Sequence, residues 1–221
     1  MKNIIFDIDR TLVDSSRVEG ITFKQAMLEV TGRECSSEEI AIIPYVTTTN
    51  LFISLGITDK DTQDKISKRW GALLDANPVP CFPGIIDLVK KFHDDNTNMY
   101  IVTSRTKQEF KNLCRGDFRD IIDYFINPVT SDLVKNPKPN PDYLLKVIKD
   151  NDLDPDETIY IGDDVIDSKA VANANNELDG HLRFGYATWD KHANDDEFVQ
   201  IDYRFDKPED IEKVVKSKDL H

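Results

Sequence analysis

Short apolar runs that end in carboxylates, hydroxyls or glycine punctuate this chain. Asn3-Ile4-Ile5-Phe6 runs into Asp7, Met99-Tyr100-Ile101-Val102 into Thr103-Ser104-Arg105, and Thr158-Ile159-Tyr160-Ile161 into Gly162-Asp163-Asp164. Consecutive apolar positions over so few residues are the pattern of strands buried on both faces. Phe125-Ile126 with Val129, His181 to Ala187 and Ile201 to Phe205 are further strand candidates. Between these runs the apolar period lengthens to that of a helix. Ile85, Val89 and Phe92 share one helical face, as do Leu144, Val147 and Ile148, and Ile211, Val214 and Val215. Strands alternating with amphipathic helices predict an α/β fold, a doubly wound, Rossmann-like parallel sheet with helices on both faces.

One segment breaks the alternation. From about Ser15 to Cys81 there is no convincing strand pattern, only helical stripes: Phe23, Met27 and Val30, then Ile66, Trp70, Leu73 and Leu74. The turn-rich Asn77-Pro78-Val79-Pro80-Cys81-Phe82-Pro83-Gly84 closes it, and Asp14-Ser15-Ser16 opens it. The expected organisation is a core made of residues 1–14 and 82–221, interrupted by an all-helical subdomain over 15–81.

Composition narrows the function. With 39% hydrophobic and 31% charged residues, a chain of 221 residues can bury a substantial core, which excludes disordered and fibrous classes. No apolar run approaches the roughly 20 residues of a membrane span, and carboxylates appear within seven residues of Met1, so a cytoplasmic protein without a signal peptide is expected. Cys35, Cys81 and Cys114 are widely spaced, and neither a disulfide framework nor a zinc site is indicated. The net charge of −13 argues against a nucleic-acid partner, because that binding needs a basic face. A small anionic substrate is still compatible, provided a bound cation or a local Lys/Arg group meets it.

The strand ends carry such a group. Asp7 and Asp9 stand two apart, so an extended chain points both carboxylates to one side. Thr103 follows the second strand, and Asp163, Asp164 and, a turn later, Asp167 follow another. Lys138 lies in the proline-braced Asn136-Pro137-Lys138-Pro139-Asn140-Pro141. In open α/β sheets ligands bind at the carboxyl ends of the strands. Carboxylates gathered there repel each other unless a hard cation joins them, and all-oxygen ligation points to Mg²⁺, which leans on substrate phosphate oxygens. A carboxylate can then act as nucleophile toward phosphorus, with a hydroxyl and an ammonium stabilising the equatorial oxygens. Each feature alone has a plainer reading: a solvated or helix-capping Asp pair, a turn threonine, a surface lysine. Their order at strand ends carries the joint reading.

Asp7-Ile8-Asp9-Arg10-Thr11-Leu12-Val13-Asp14-Ser15 resembles the DxDxTLxDS signature of the haloacid dehalogenase superfamily, whose members are mostly Mg²⁺-dependent phosphatases. Thr103, Lys138 in Lys138-Pro139-Asn140-Pro141, and Gly162-Asp163 through Asp167 match the later motifs in order. The segment after the first motif is similar to the family's helical C1 cap, and Gly185-Tyr186-Ala187-Thr188-Trp189 to a late strand of phosphoglycolate-phosphatase-like members. The resemblance implies Asp7 as nucleophile and metal ligand, and Asp9 as general acid and base with its backbone carbonyl on the metal. It implies that Thr103 and Lys138 hold the phosphoryl group, that Asp163 completes the metal shell, and that Asp164 or Asp167 ligates through water or orients Lys138. It implies a cap that closes over the site and selects a small phosphorylated metabolite, in a monomer or homodimer. Close relatives often carry Gly where this chain has Arg10. Arg105, just past the second strand, would bind a second anionic group of the substrate. The hydroxyl-rich Tyr45-Val46-Thr47-Thr48-Thr49-Asn50 would contact the leaving group through Thr48 and Asn50. A phosphomutase of the same superfamily and a non-catalytic phospho-receiver or binding module remain alternatives. A dehalogenase needs neither Asp9 nor a metal site, and no GxxxxGK[ST] or GxGxxG is present.

Overall fold

A computed structural model describes residues 1–43, 48–190 and 195–216. By internal contacts the chain divides into two compact units, Met1–Val13 with Pro80–His221, and Asp14–Val79.

The first unit is built on a six-stranded sheet in the order β3-β2-β1-β4-β5-β6, with every pairing parallel. Its strands are β1 (Asn3–Phe6), β2 (Asn98–Val102), β3 (Ile126–Val129), β4 (Thr158–Gly162), β5 (Arg183–Ala187) and β6 (Tyr203–Phe205). Side chains alternate between the two faces. Ile5, Tyr100, Tyr160 and Phe184 turn to one face and form a single apolar cluster with Tyr143, Leu144, Val147, Ile148, Ala170, Val171 and Ala174. Those partners lie on helices Asp142–Asp150 and Val165–Asn175. The intervening Ile4, Phe6, Met99, Ile101, Ile159 and Ile161 are equally buried, which is why β1, β2 and β4 read as unbroken apolar runs. Phe6 pairs with both Ile101 and Ile161. That register brings the chain exits of β1, β2 and β4 to one level, and the strand order reverses between β1 and β4, where doubly wound sheets open their ligand crevice.

The second unit holds helices α1 (Ser15–Thr31), α2 (Ser37–Ala41), α3 (Thr48–Ser54) and α4 (Lys60–Ala76). Its core is Phe23, Ala26, Met27, Leu51, Phe52, Ile66 and Leu73, with Trp70 edge-on to Phe23 at 5.0 Å between ring centroids. Asp14 caps α1 by accepting from Arg17 N, and Gly32 ends it in the left-handed conformation. The remaining helices belong to the sheet unit: α5 (Ile85–Asp94), α6 (Lys107–Leu113), α7 (Asp142–Asp150), α8 (Val165–Asn175) and α9 (Asp210–Lys216). Helix α6 is too short to show a period. Its Thr106 and Glu109 form a reciprocal capping box that starts it. Among the described residues no helix is long and apolar enough to cross a membrane.

Candidate active site

Asp7 leaves β1 with its backbone N–H still paired, donating to the Ile161 carbonyl at 2.8 Å, so the nearest strand fixes the carboxylate. Thr103 is fixed the same way, its N–H donating to Val129 O at 3.0 Å. Lys138 reaches the crevice from the loop before α7. Its Nζ donates to Asp7 Oδ1 at 2.6 Å and lies 2.9 Å from Asp167 Oδ1, with the lysine side chain only 3% exposed. The ammonium also stands 5.4 Å from the centre of the Tyr160 ring.

Asp167 is held from several directions. It accepts from the Tyr160 hydroxyl at 2.8 Å and from Asp164 N at 3.2 Å, the second bond being half of the capping box that starts α8. Asp164, the N-cap, supplies the other half by accepting from the Asp167 backbone N–H, and it also accepts from Ile166 N at 3.0 Å. A Cβ on Gly162 would stand 2.4 Å from Asp167 Oδ2, so only glycine leaves room for this carboxylate. Asp163 Oδ1 accepts from the Thr11 hydroxyl at 3.0 Å. Thr11 is itself tied down through its carbonyl, which accepts from the Trp189 indole at 3.1 Å. Thr11, Tyr160 and Trp189 were not singled out from sequence. Thr11 stood inside the first motif, whereas the other two had only core-like or strand-like signals.

Asp9 and Arg105 form a bidentate pair, Arg105 Nε donating to Oδ2 at 2.9 Å and Nη2 to Oδ1 at 2.5 Å. Arg105 N also donates to Thr103 Oγ1 at 3.1 Å, which leaves the Thr103 hydroxyl proton for another acceptor. Arg10 adopts φ 62°, the left-handed region that glycine enters most readily. Thr48 and Asn50 lie on α3 of the helical unit, both exposed. Tyr45, Val46 and Thr47 lie outside the described residues.

The electrostatics follow from burial. Burial pushes the Asp7 carboxyl well above the usual carboxylate range against the pull of Lys138, with Asp167, Asp163 and Asp9 pushing the same way. For Lys138, burial opposes its charge, but Asp167 and Asp7 outweigh it and hold the ammonium above the ordinary lysine range. Burial, then Asp167 and Asp7, keep the Tyr160 phenol protonated and therefore a donor. Asp7, Asp163 and Asp167 each offer an oxygen within 4.8 Å of the others, all buried. Among the six side chains Asp7, Asp9, Asp163, Asp167, Lys138 and Arg105, four carboxyl groups meet two cationic ones. A divalent cation would relieve this surplus of acidic groups, and the all-oxygen donors suit a hard one.

A doubly wound sheet with clustered carboxylates and a buried lysine at its switch point defines a class of α/β proteins that handle anions at strand ends. Residues 4–178 match the family described as haloacid dehalogenase-like hydrolase, and the chain belongs to that family. It is 23% identical over 175 residues to Pyrophosphatase PpaX of Oceanobacillus iheyensis, covering 79% of this chain and 80% of the relative. It is 25% identical over 182 residues to Phosphoglycolate phosphatase 1 of Pseudomonas aeruginosa, covering 76% of this chain and 65% of that longer protein. In fold it is similar to a HAD-superfamily hydrolase, subfamily IA, variant 1, from Geobacter sulfurreducens. The TM-score is 0.76 at 19% identity, over 97% of this chain and 96% of that one.

Proposed function

We propose that this hydrolase is a Mg²⁺-dependent phosphatase that cleaves a small phosphorylated metabolite in the cytoplasm through an aspartyl-phosphate on Asp7. The observation that carries the reading is the buried carboxylate of Asp7 at the switch point, paired at 2.6 Å with a lysine that stays charged. The names of the relatives, a pyrophosphatase and a phosphoglycolate phosphatase, supply the substrate class.

Asp7 attacks phosphorus, the bond to the leaving oxygen breaks, and Asp9 gives that oxygen a proton. Asp9 then takes a proton from water as the water oxygen attacks phosphorus, phosphate departs and Asp7 is regenerated. Thr103 donates its free hydroxyl proton to the transferring group, and Lys138 offsets charge on its oxygens. Asp167, held by Tyr160 and the α8 cap, orients Lys138. Asp7, Asp163 and the Asp9 carbonyl would hold Mg²⁺, which supplies positive charge that draws the phosphoryl oxygens toward the nucleophile. Thr11 keeps Asp163 turned to that task.

The test is phosphate release from an aryl phosphate with Mg²⁺, comparing the native protein, an EDTA-treated sample and Asp7→Asn. Release that needs the metal and disappears in Asp7→Asn is expected. A folded native protein inert toward aryl, sugar and small-acid phosphates alike refutes the reading.

A further inference from the structure

We propose that Arg105 is the specificity residue of this site. Its guanidinium exchanges the Asp9 carboxylate for a second anionic group on the substrate, so that a doubly anionic phosphate ester frees Asp9 far more readily than a singly anionic one. The inference rests on the phosphatase reading above and deepens it by naming the substrate class.

Both oxygens of Asp9 are occupied by one guanidinium, at 2.9 and 2.5 Å. A carboxylate held by both oxygens faces its partner, and the reaction requires it to face the leaving oxygen. The backbone on each side is fixed. Arg105 N donates to Thr103 Oγ1, its carbonyl accepts from Ser131 N at 2.9 Å, and Asp9 is bridged to Val13. Movement therefore falls to the two side chains, the arginine with four torsions and Asp9 with two. The two side chains are 22% and 27% exposed, open enough for a small anion to approach.

An arriving carboxylate or phosphate presents the same two-oxygen edge to the guanidinium fork as Asp9 does. A neutral hydroxyl presents one weak acceptor and cannot displace a charged, bidentate partner. The guanidinium keeps an anionic partner throughout, and the released Asp9 carboxylate, now beside the Asp7 carboxylate and the phosphoryl group, takes from solvent the proton it delivers to the leaving oxygen. Part of the substrate's binding energy is thereby converted into a correctly aimed Asp9, and the benefit appears in kcat as well as KM.

The experiment uses paired alkyl esters that carry either an anionic group or a neutral hydroxyl at the far end. 2-Phosphoglycolate is compared with 2-hydroxyethyl phosphate, and propane-1,3-diol bisphosphate with 3-hydroxypropyl phosphate. The larger ratio identifies whether the group is a carboxylate or a phosphate. The native enzyme is expected to favour the doubly anionic member of at least one pair by about 30-fold or more in kcat/KM, the range of a charged bidentate contact. Part of that gain is expected in kcat. Arg105→Met is expected to bring the ratio within about threefold, and Arg105→Lys, which keeps the charge without the fork, to fall between. Equal rates within both native pairs, a gain confined to KM, or a preference that survives in Arg105→Met each overturn the exchange. Aryl phosphate hydrolysis that vanishes in Asp7→Asn is the separate check on the parent reading. If it stands while the paired esters show no preference, the exchange alone is wrong, and if no ester is cleaved, both fall.

Discussion

Replacing Lys138 by methionine keeps the volume of the side chain and removes the cation that Asp7 and Asp167 share. Both pairs are short, 2.6 and 2.9 Å, and the lysine and Asp167 side chains are each 3% exposed, so solvent screens them little. Removing one partner from a buried pair costs about 3–5 kcal/mol, because the charges left behind are uncompensated. In a protein of this size that corresponds to a fall in Tm of roughly 10 °C. The loss depends on pH with a definite sign. Burial and the neighbouring carboxylates already raise the Asp7 carboxyl, and without Lys138 it rises further. A group raised on folding contributes fully below the ordinary carboxylate range and loses that contribution as pH rises through its folded value. The gap between variant and native protein is therefore widest at and above neutral pH and narrows toward pH 4. Calorimetric melting in EDTA from pH 4 to pH 8 reads it directly. Added Mg²⁺ should raise the variant's Tm more than the native protein's, since a bound cation takes over the missing charge. A variant that melts within 2 °C of native at pH 7.5, or a gap that does not shrink on acidification, refutes the reasoning.

Two further outcomes follow from the struts around the site. Gly162→Ala puts a Cβ 2.4 Å from Asp167 Oδ2, displacing the carboxylate that orients Lys138. It is expected to lower Tm by the equivalent of about 1–3 kcal/mol and to reduce kcat more than it raises KM, as steady-state kinetics beside a melt would read. Trp189→Phe keeps the ring and removes the donor to the Thr11 carbonyl, loosening the threonine that turns Asp163. The expected result is half-saturation at about 3- to 10-fold higher Mg²⁺, the equivalent of one hydrogen bond of about 1 kcal/mol. An unchanged metal titration would show that the indole does not reach the cation site.

The strand ends were legible because a parallel sheet with an apolar run at each strand announces both the strand and its exit. Asp7, Thr103 and Asp163 could be read as neighbours on that basis alone, and Lys138 because proline on either side of it marks a stiff loop. What sequence could not supply was direction. Arg105 follows Thr103 by two, yet nothing local says that its side chain crosses to Asp9, since the pairing joins positions 96 apart. Tyr160 read as a strand interior, and its hydroxyl found Asp167 because α8 starts immediately after β4. Trp189 lies 178 positions from Thr11, a contact that only the assembled sheet creates. The short β3 was also blurred, with Asn127 at φ 43° interrupting the run.

The same few residues hold the fold and the site, and the coupling has a physical reason. Asp167 closes the cap of α8, accepts from Tyr160 and meets Lys138, while Gly162 leaves the space it occupies. A lysine carried on a loop ordinarily samples many rotamers; here it is aimed by a carboxylate that a helix terminus has already fixed. Its orientation is settled during folding, before any substrate arrives, so the ordering of four side-chain torsions need not be repeated at each turnover. In a chain of net charge −13, such fixed cations matter more than their number. The surrounding field repels an anion at long range, and attraction begins only within reach of a fixed cation such as Lys138. Capture is then short-ranged and geometric, which favours discrimination between anions over fast encounter with any of them.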